Sequence, residues 1–131
     1  MKIKHLFLLT LFTAVVFSCS KDDEEFVPAE LMGSWQAENS AGCYETFIFS
    51  SNHLNWKQYC PLVNARDDVS YPISGEEPSR NALKTSNGYW FLYHLYSSTS
   101  MSVRRYDGDT DLSTIPEDWY KTRGITVTKV Q

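Results

Sequence analysis

The sequence predicts an all-β protein: an eight-stranded antiparallel up-and-down barrel carrying one short helix, with a β-sandwich as the alternative. Short segments rich in β-branched and aromatic residues recur along the chain at even spacing. Turn-forming residues separate these segments, and only one stretch carries a helix-start signal. Many short strands with almost no helix are typical of antiparallel barrels and sandwiches.

The predicted strands follow one another through short connections. The first begins after a turn at residues 30–32, and Pro72 places the fourth at a sheet edge or next to a bulge. The sixth, YWFLYHLY, is apolar on both faces, which indicates a strand that is covered on both sides. The predicted bounds are 33–38, 43–50, 53–60, 68–74, 80–85, 89–96, 101–106 and 124–130.

The one helical signal lies between the last two strands. Thr114 followed three residues later by Glu117 has the form of a capping box. Pro116 suits the first turn of a helix, where its missing N–H costs nothing. We therefore predict a short helix over residues 114–121.

The second and third strands are predicted to form a hairpin that places two cysteines opposite each other. A two-residue turn, or a four-residue loop with the same register, pairs Ser50 with His53. Counting outward by equal steps along both strands pairs Cys43 with Cys60. They fall in a non-hydrogen-bonded pair, in which Cα atoms are about 4.5 Å apart, at the short end of disulfide geometry. We predict a Cys43–Cys60 disulfide.

The same register sorts the hairpin into a core face and an outer face. Glu45 is unexpected on the core face, because a buried carboxylate is costly unless it is hydrogen-bonded. Either Glu45 lines a cavity and meets a ligand, or it bonds Gln58 and a tyrosine, and we favour the second role. The core-face pairs are Cys43/Cys60, Glu45/Gln58, Phe47/Trp56 and Phe49/Leu54.

The start of the chain has the pattern of a secretory leader. Lys2 and Lys4 precede an apolar stretch at residues 6–17, which is too short to span a membrane and fits the apolar core of a signal peptide. Val16-Phe17-Ser18-Cys19 resembles the cleavage site of signal peptidase II precursors, the bacterial lipoproteins. The Phe-Ser-Cys variant with its following acidic run resembles surface lipoproteins of Bacteroidota-type bacteria.

That resemblance implies fatty acyl chains, such as palmitate, on Cys19. It implies a protein held by its lipid in the outer membrane and exposed at the cell surface, with the periplasmic face as the alternative. We predict a signal peptide at residues 1–18, an acidic tether at 19–29 and a barrel domain at 30–131. In that oxidising compartment the remaining pair of cysteines is free to form a disulfide.

A second resemblance lies at the start of the barrel domain. Leu31-Met32-Gly33-Ser34-Trp35 resembles the Gly-x-Trp opening of lipocalin and calycin barrels, which small lipocalin-like lipoproteins of the same bacteria share. The resemblance implies that Trp35 plugs one end of the barrel. It also implies that a late basic residue, either Arg123 or Lys129, stacks on Trp35 by a cation–π contact.

The lipocalin-like resemblance implies binding of a small apolar or amphipathic ligand at the barrel mouth, where aromatic walls supply most of the contact. Since the chain is shorter than ordinary lipocalins, any cavity should be small. The candidate ligand-binding residues are Glu45, Phe47, Trp56, Gln58, Trp90 and His94.

The alternative is a non-enzymatic interaction or accessory protein with a filled barrel core. It would meet an outer-membrane protein partner through exposed tyrosines. The candidates for that surface are Tyr44, Tyr59, Tyr93 and Tyr106.

Catalysis, cofactors and nucleic acid are not expected from the sequence. No nucleophile–base motif or phosphate-binding glycine loop is present, and His53 and His94 share no metal-ligand spacing. For His94 we favour a core or cavity position over a role as a ligand. A net charge of −4 without a basic stripe argues against a nucleic-acid partner.

One acidic loop partly imitates a calcium site. Asp107, Asp109 and Asp111, with Asp118 further on, have part of the spacing of a calcium loop, but Leu112 occupies the position that requires glycine. We favour a solvated acidic loop and expect no metal.

Overall fold

In the computed structural model, which describes residues 25–39 and 41–130, eight antiparallel strands close into one barrel. Strands adjacent in sequence are adjacent in the barrel, and the last strand returns to pair with the first. This confirms the up-and-down barrel and excludes the sandwich. The strands are β1 Gly33–Glu38, β2 Tyr44–Phe49, β3 His53–Cys60, β4 Ala65–Glu77, β5 Ala82–Thr85, β6 Tyr89–Leu95, β7 Ser100–Asp107 and β8 Ile125–Val130.

The predicted leader and lipid site cannot be compared with the structure. The signal peptide at 1–18, Cys19 and the tether as far as residue 24 lie outside the described residues. The description begins at Glu25, before a 3-10 turn at Ala29–Leu31 that leads into β1.

The first hairpin has the predicted register. Tyr44 pairs with Tyr59 and Phe49 with Leu54, and the intervening residues pair in sequence. Cys43 and Cys60 form the predicted disulfide, with their Cα atoms 4.2 Å apart. The disulfide joins the hairpin at the end away from its tight turn.

The predicted helix over 114–121 is wrong, since the connection from β7 to β8 contains only the 3-10 turns Leu112–Thr114 and Trp119–Lys121. The first turn begins earlier than predicted, because the Asp111 carboxylate accepts a hydrogen bond from the Ser113 N–H. Ile115 and Trp119 are both buried against the barrel wall. Tertiary packing of these two side chains replaces the capping box as the determinant of the segment.

The inner core is a single apolar cluster inside the barrel. It is capped at one end by Val27 and Leu31, whose segment lies beside the β2–β3 turn through a hydrogen bond from the Val27 N–H to the Ser51 carbonyl. We call this the closed end. Besides Leu31, the largest fully buried side chains of the inner core are Trp35, Phe47, Leu54, Tyr71, Leu83, Phe91, Met101, Val103 and Val127.

A second apolar cluster lies outside the barrel. Ala82 and Leu92, on the outer faces of β5 and β6, are covered by Ile115 and Trp119 from the β7–β8 connection. This confirms that the sixth strand is covered on both sides. The connection itself thus forms part of the wall rather than a free loop.

The end opposite Val27 and Leu31, the mouth, is less completely paired. β4 pairs with β5 only from Ile73 onward, next to a bulge beside Pro72. β8 reaches only as far as Val103 of β7 and Gln36 of β1. Toward the mouth, beyond the last of these pairs, β1–β4 remain paired with one another and β6 remains paired with β7, while within the described residues the two groups are not paired with each other.

Candidate functional site

The structure divides the six predicted ligand-binding residues between two faces of the barrel. Glu45, Phe47, Trp56 and Gln58 point inward with the alternation of β2 and β3. Trp90 and His94 do not join them, because β6 turns Phe91 inward and its even-numbered residues outward. Four of the six therefore face the barrel interior, and two of these, Trp56 and Gln58, line the cavity at the mouth.

Trp90 and His94 instead hold the β7–β8 connection against the wall. The Trp90 indole donates a hydrogen bond of 3.2 Å to the Gly108 carbonyl. The His94 ring stacks on Tyr120 with a centroid distance of 3.6 Å and an interplanar angle of 2°. Both side chains therefore have contacts on the outer face of the barrel: Trp90 with Gly108, and His94 with the rings of Tyr96 and Tyr120.

Aromatic rings fill the barrel between the closed end and the mouth. Phe47 stacks on Trp56 at 5.0 Å between ring centroids, and Trp56 meets Phe91 edge-on at 6.3 Å. Tyr71 packs against Phe91 at 4.8 Å. These contacts fill the barrel between the closed end and the mouth with packed side chains. A ligand could therefore reach the aromatic rings from the mouth.

Glu45 has the hydrogen-bond partner predicted for it. The Gln58 amide donates a bond of 2.8 Å to the Glu45 carboxylate, and Glu45 is only 8% exposed. The bond compensates part of the cost of burying the carboxylate. This confirms the bond to Gln58 and places Glu45 beneath the rim of the mouth.

The mouth contains a cavity of about 190 Å³ between the two groups of strands. Its walls combine apolar and aromatic surface with polar groups that can fix the orientation of a ligand. Trp56 brings a buried indole N–H that has no hydrogen-bond partner among the described residues. The lining residues are Trp56, Gln58, Asp67, Val69, Tyr71 and Arg105.

Asp67 and Arg105 are the two charged residues that line this cavity, and Arg105 is itself exposed to solvent. Its guanidinium donates a hydrogen bond of 2.7 Å to the Tyr71 hydroxyl. It also lies 4.6 Å from the centroid of the Tyr89 ring and 5.3 Å from that of Trp56. Within the part of the chain that the structure describes, no carboxylate forms an ion pair with it. A fixed cation between aromatic rings suits an anionic group attached to an apolar body.

Sequence reasoning missed Arg105, Tyr71 and Tyr89. The available signal was the alternation of β7, in which Met101 and Val103 are apolar and Arg105 continues the same face. A charged residue among inward-facing apolar residues needs a hydrogen-bond partner or a ligand, as Glu45 does in β2. Which of the adjacent pair Arg104 and Arg105 points inward depends on the register with β6.

Two of the four tyrosines proposed as a partner surface are half-buried and pack against the apolar clusters of the barrel itself. Tyr93 packs against the inner cluster, and Tyr106 belongs to the outer cluster, where its hydroxyl is buried. Tyr44 and Tyr59 do lie side by side on the outer face of β2 and β3. Of the four tyrosines, Tyr44 and Tyr59 are the pair that shares one outer surface.

Of the two basic residues predicted to stack on Trp35, Lys129 makes the contact and Arg123 does not. The Lys129 ammonium lies 5.3 Å from the centroid of the Trp35 ring. Arg123 is instead placed beside β7, where its carbonyl accepts a hydrogen bond from Arg104. The indole of Trp35 donates to the Leu31 carbonyl at 2.8 Å, and Gly33 adopts a φ of 113° that other residues rarely adopt.

The acidic loop is organised by hydrogen bonds to the Asp111 carboxylate. Asp111 accepts hydrogen bonds from the Ser113 hydroxyl and N–H, and these bonds hold the pKa of its carboxyl below the usual value. In residues 25–39 and 41–130, no three His, Cys, Asp or Glu side chains are placed to share a metal ion.

Helices of the described chain are all too short to cross a membrane. Comparison with protein-family models, with curated proteins and with solved structures finds no match for this chain.

Proposed function

We propose that the protein is a binding module that takes a small amphipathic molecule with an anionic group at the barrel mouth. The observation that carries this proposal is Arg105, which faces the cavity with a hydrogen bond to Tyr71 and no ionic partner among the described residues. Such a cation is held ready for a carboxylate, sulfate or phosphate group. The proposal includes no chemical reaction.

The size of the cavity limits the ligand. About 190 Å³ is below the roughly 300–1,000 Å³ of pockets that enclose drug-sized molecules. The anionic end would therefore enter, while an apolar part packs against Trp56 and Val69 at the rim. The unpartnered indole N–H of Trp56 supplies a further donor for a ligand oxygen.

The proposed location is the outer membrane, with Cys19 carrying the lipid anchor and the domain at the cell surface. The leader sequence supports this, as does a Gly33-x-Trp35 opening of the lipocalin-like kind in a barrel of eight strands. Val27 and Leu31, the described residues before β1, pack at the closed end, opposite the mouth. Labelling of cells with an alkynyl palmitate should mark the wild-type protein and leave Cys19→Ala unmarked.

Calorimetry on the full lipoprotein in detergent tests the mouth with cinnamate and its neutral analogue cinnamamide. We expect cinnamate to bind and cinnamamide to bind at least tenfold more weakly. Arg105→Gln should weaken cinnamate binding by roughly 10- to 150-fold, the equivalent of the 1.5–3 kcal/mol of a charge-assisted hydrogen bond. Arg104→Gln is the matched control, since Arg104 lies over Tyr106 on the outer face.

Two results would reject the proposal. One is the absence of cinnamate binding to a folded wild-type protein. The other is an equal effect of Arg104→Gln and Arg105→Gln, which would indicate a general effect of charge rather than a site at the mouth.

A second candidate function, contact with a partner protein, is favoured by the tip of the β3–β4 hairpin. Leu62 and Val63 are 88% and 74% exposed, and the Cys43–Cys60 disulfide holds the base of this tip. Exposed apolar side chains on a rigid support are suited to protein contact. A photo-crosslinking residue at position 62 should capture a membrane protein that the same residue at position 96, at the other end of the barrel, does not capture.

A further inference from the structure

The outer face of β1–β4 carries a groove of about 570 Å³ that belongs to neither the core nor the mouth cavity. The pairing registers arrange its side chains in two rows that cross the four strands. One row consists of Tyr44, Tyr59 and Arg66, and Glu38 of β1 pairs with Tyr44 outside the groove lining. The next consists of Gln36, Thr46, Lys57 and Asp68.

The first row is an aromatic platform. Tyr44 and Tyr59 are directly opposite each other on adjacent strands, and Tyr44 is 38% exposed. Arg66 pairs with Tyr59 and places its guanidinium 4.4 Å from the centroid of that ring. The neighbouring Cys43–Cys60 disulfide links the same two strands one position beyond the tyrosines. The backbone register and the disulfide therefore place the two residues side by side, and Tyr44 is the more exposed of the two because Arg66 lies over the Tyr59 ring.

The second row supplies hydrogen-bonding groups whose present contacts are weak. The Gln36 amide lies 3.5 Å from the Thr46 hydroxyl. The Lys57 ammonium lies 4.0 Å from the Asp68 carboxylate, and both side chains are about half exposed. Exposed pairs of this kind contribute little to stability. Amide, hydroxyl, ammonium and carboxylate groups are thus available to a ligand that both donates and accepts.

The chemistry of the groove separates three classes of ligand. A nucleic acid is disfavoured, because Lys57 and Arg66 are matched by Asp67 and Asp68 and leave no positive excess. A protein partner is less favoured than a saccharide, because the groove combines Tyr and Arg, which are enriched at interface centres, with Lys and Asp, which are depleted there. A sugar ring presents an apolar C–H face to an aromatic ring and hydroxyl groups to planar polar side chains, and this groove offers both.

We propose that the outer groove of β1–β4 is a binding site for a saccharide chain, with Tyr44 and Tyr59 as its stacking platform. Four strands spaced about 4.8 Å apart give a width of roughly 14 Å, which suits a short run of sugar units lying across the strands. The groove and the mouth cavity share Gln58 and Asp67, but Arg105 lines the mouth and Tyr44 and Tyr59 line the groove.

Affinity electrophoresis of the full lipoprotein, in native gels containing dextran, xyloglucan or galactomannan, tests this proposal. We expect at least one of these polysaccharides to retard the wild-type protein. Tyr44→Ala and Tyr59→Ala should each weaken that retardation at least tenfold, while Tyr44→Phe, which keeps the ring, should preserve it. Tyr96→Ala removes an exposed tyrosine at the closed end and is the matched control.

Arg105→Gln separates this site from the mouth, because it should leave retardation unchanged even if it abolishes cinnamate binding. Circular dichroism of each variant establishes that it is folded. The proposal is overturned if none of the three polysaccharides retards the wild-type protein, or if Tyr96→Ala reduces retardation as much as Tyr44→Ala. It is equally overturned if a displayed random-peptide library yields ligands that need Tyr44 and Tyr59 while the polysaccharides do not.

Discussion

Cys43 and Cys60 face each other across β2 and β3, with their Cα atoms 4.2 Å apart, and their disulfide closes a loop with a sequence separation of 17. The bond lies between the tyrosine platform of the outer groove and the exposed tip at Leu62 and Val63. One covalent link therefore supports two exposed surfaces of the same hairpin.

Replacing both cysteines, as Cys43→Ser with Cys60→Ser, should lower the free energy of unfolding by about 3 kcal/mol. The reason is that a loop of this length loses its constraint in the unfolded chain. Urea denaturation of the oxidised wild type and the double variant gives the difference. Reductant should destabilise the wild type by a similar amount and leave the variant unchanged. A loss below about 1 kcal/mol would contradict the expected role.

The Glu45–Gln58 pair should behave as a coupled unit. Gln58→Leu leaves a nearly buried carboxylate without its 2.8 Å donor, and we expect a loss of roughly 1–3 kcal/mol in the free energy of unfolding. Glu45→Leu combined with Gln58→Leu should cost less than Gln58→Leu alone, because no charge is then left unpaired. Chemical denaturation of the single and double variants completes the cycle. Additive effects would show that the two side chains are not coupled.

The contact of Lys129 with Trp35 should make a small contribution to stability at the closed end. Lys129→Met keeps much of the apolar stem but removes the ammonium 5.3 Å from the indole centroid. A loss of about 0.5–1 kcal/mol is expected in thermal or urea unfolding. Arg123→Met is the matched control and should have a smaller effect, and the reverse order would assign the stacking role to Arg123. Trp35→Ala should cost about 3–5 kcal/mol, since the ring is fully buried.

Tyr93 should make the barrel sensitive to alkaline pH. Burial, together with the charges of Glu30 and Glu76, raises the pKa of Tyr93 above its usual value. The unfolded tyrosine ionises near pH ~10 while the folded one stays neutral. The free energy of unfolding should therefore fall as the pH rises above about 10, through the raised pKa of the folded state.

Urea denaturation between neutral pH and pH ~11 measures this dependence around the tyrosine pKa. Tyr93→Phe should reduce the slope of stability against pH, whereas Tyr44→Phe, which changes an exposed residue on the outer face, should retain it. An unchanged slope in Tyr93→Phe would show that another group dominates the alkaline limb.

The sequence by itself determined the number of strands, the first hairpin and its disulfide. These depend on local rules: alternation with a period of two, a tight turn, and equal counts from the turn to Cys43 and Cys60. Glu45 could be identified as a buried carboxylate in need of Gln58 for the same reason. The pairing of neighbouring strands in an up-and-down barrel keeps such information local.

Only the tertiary structure decided which faces of β6 and β7 turn inward. In a strand that is apolar on both sides, the sequence pattern does not indicate which residues face inward. The outward positions of Trp90 and His94 therefore depend on the β7–β8 connection that packs over them. The same packing replaced the predicted helix. The mouth brings Tyr71 of β4 to Arg105 and Tyr89 of the consecutive strands β7 and β6. Closure of the barrel brings these residues together, and no short stretch of sequence could have indicated that arrangement.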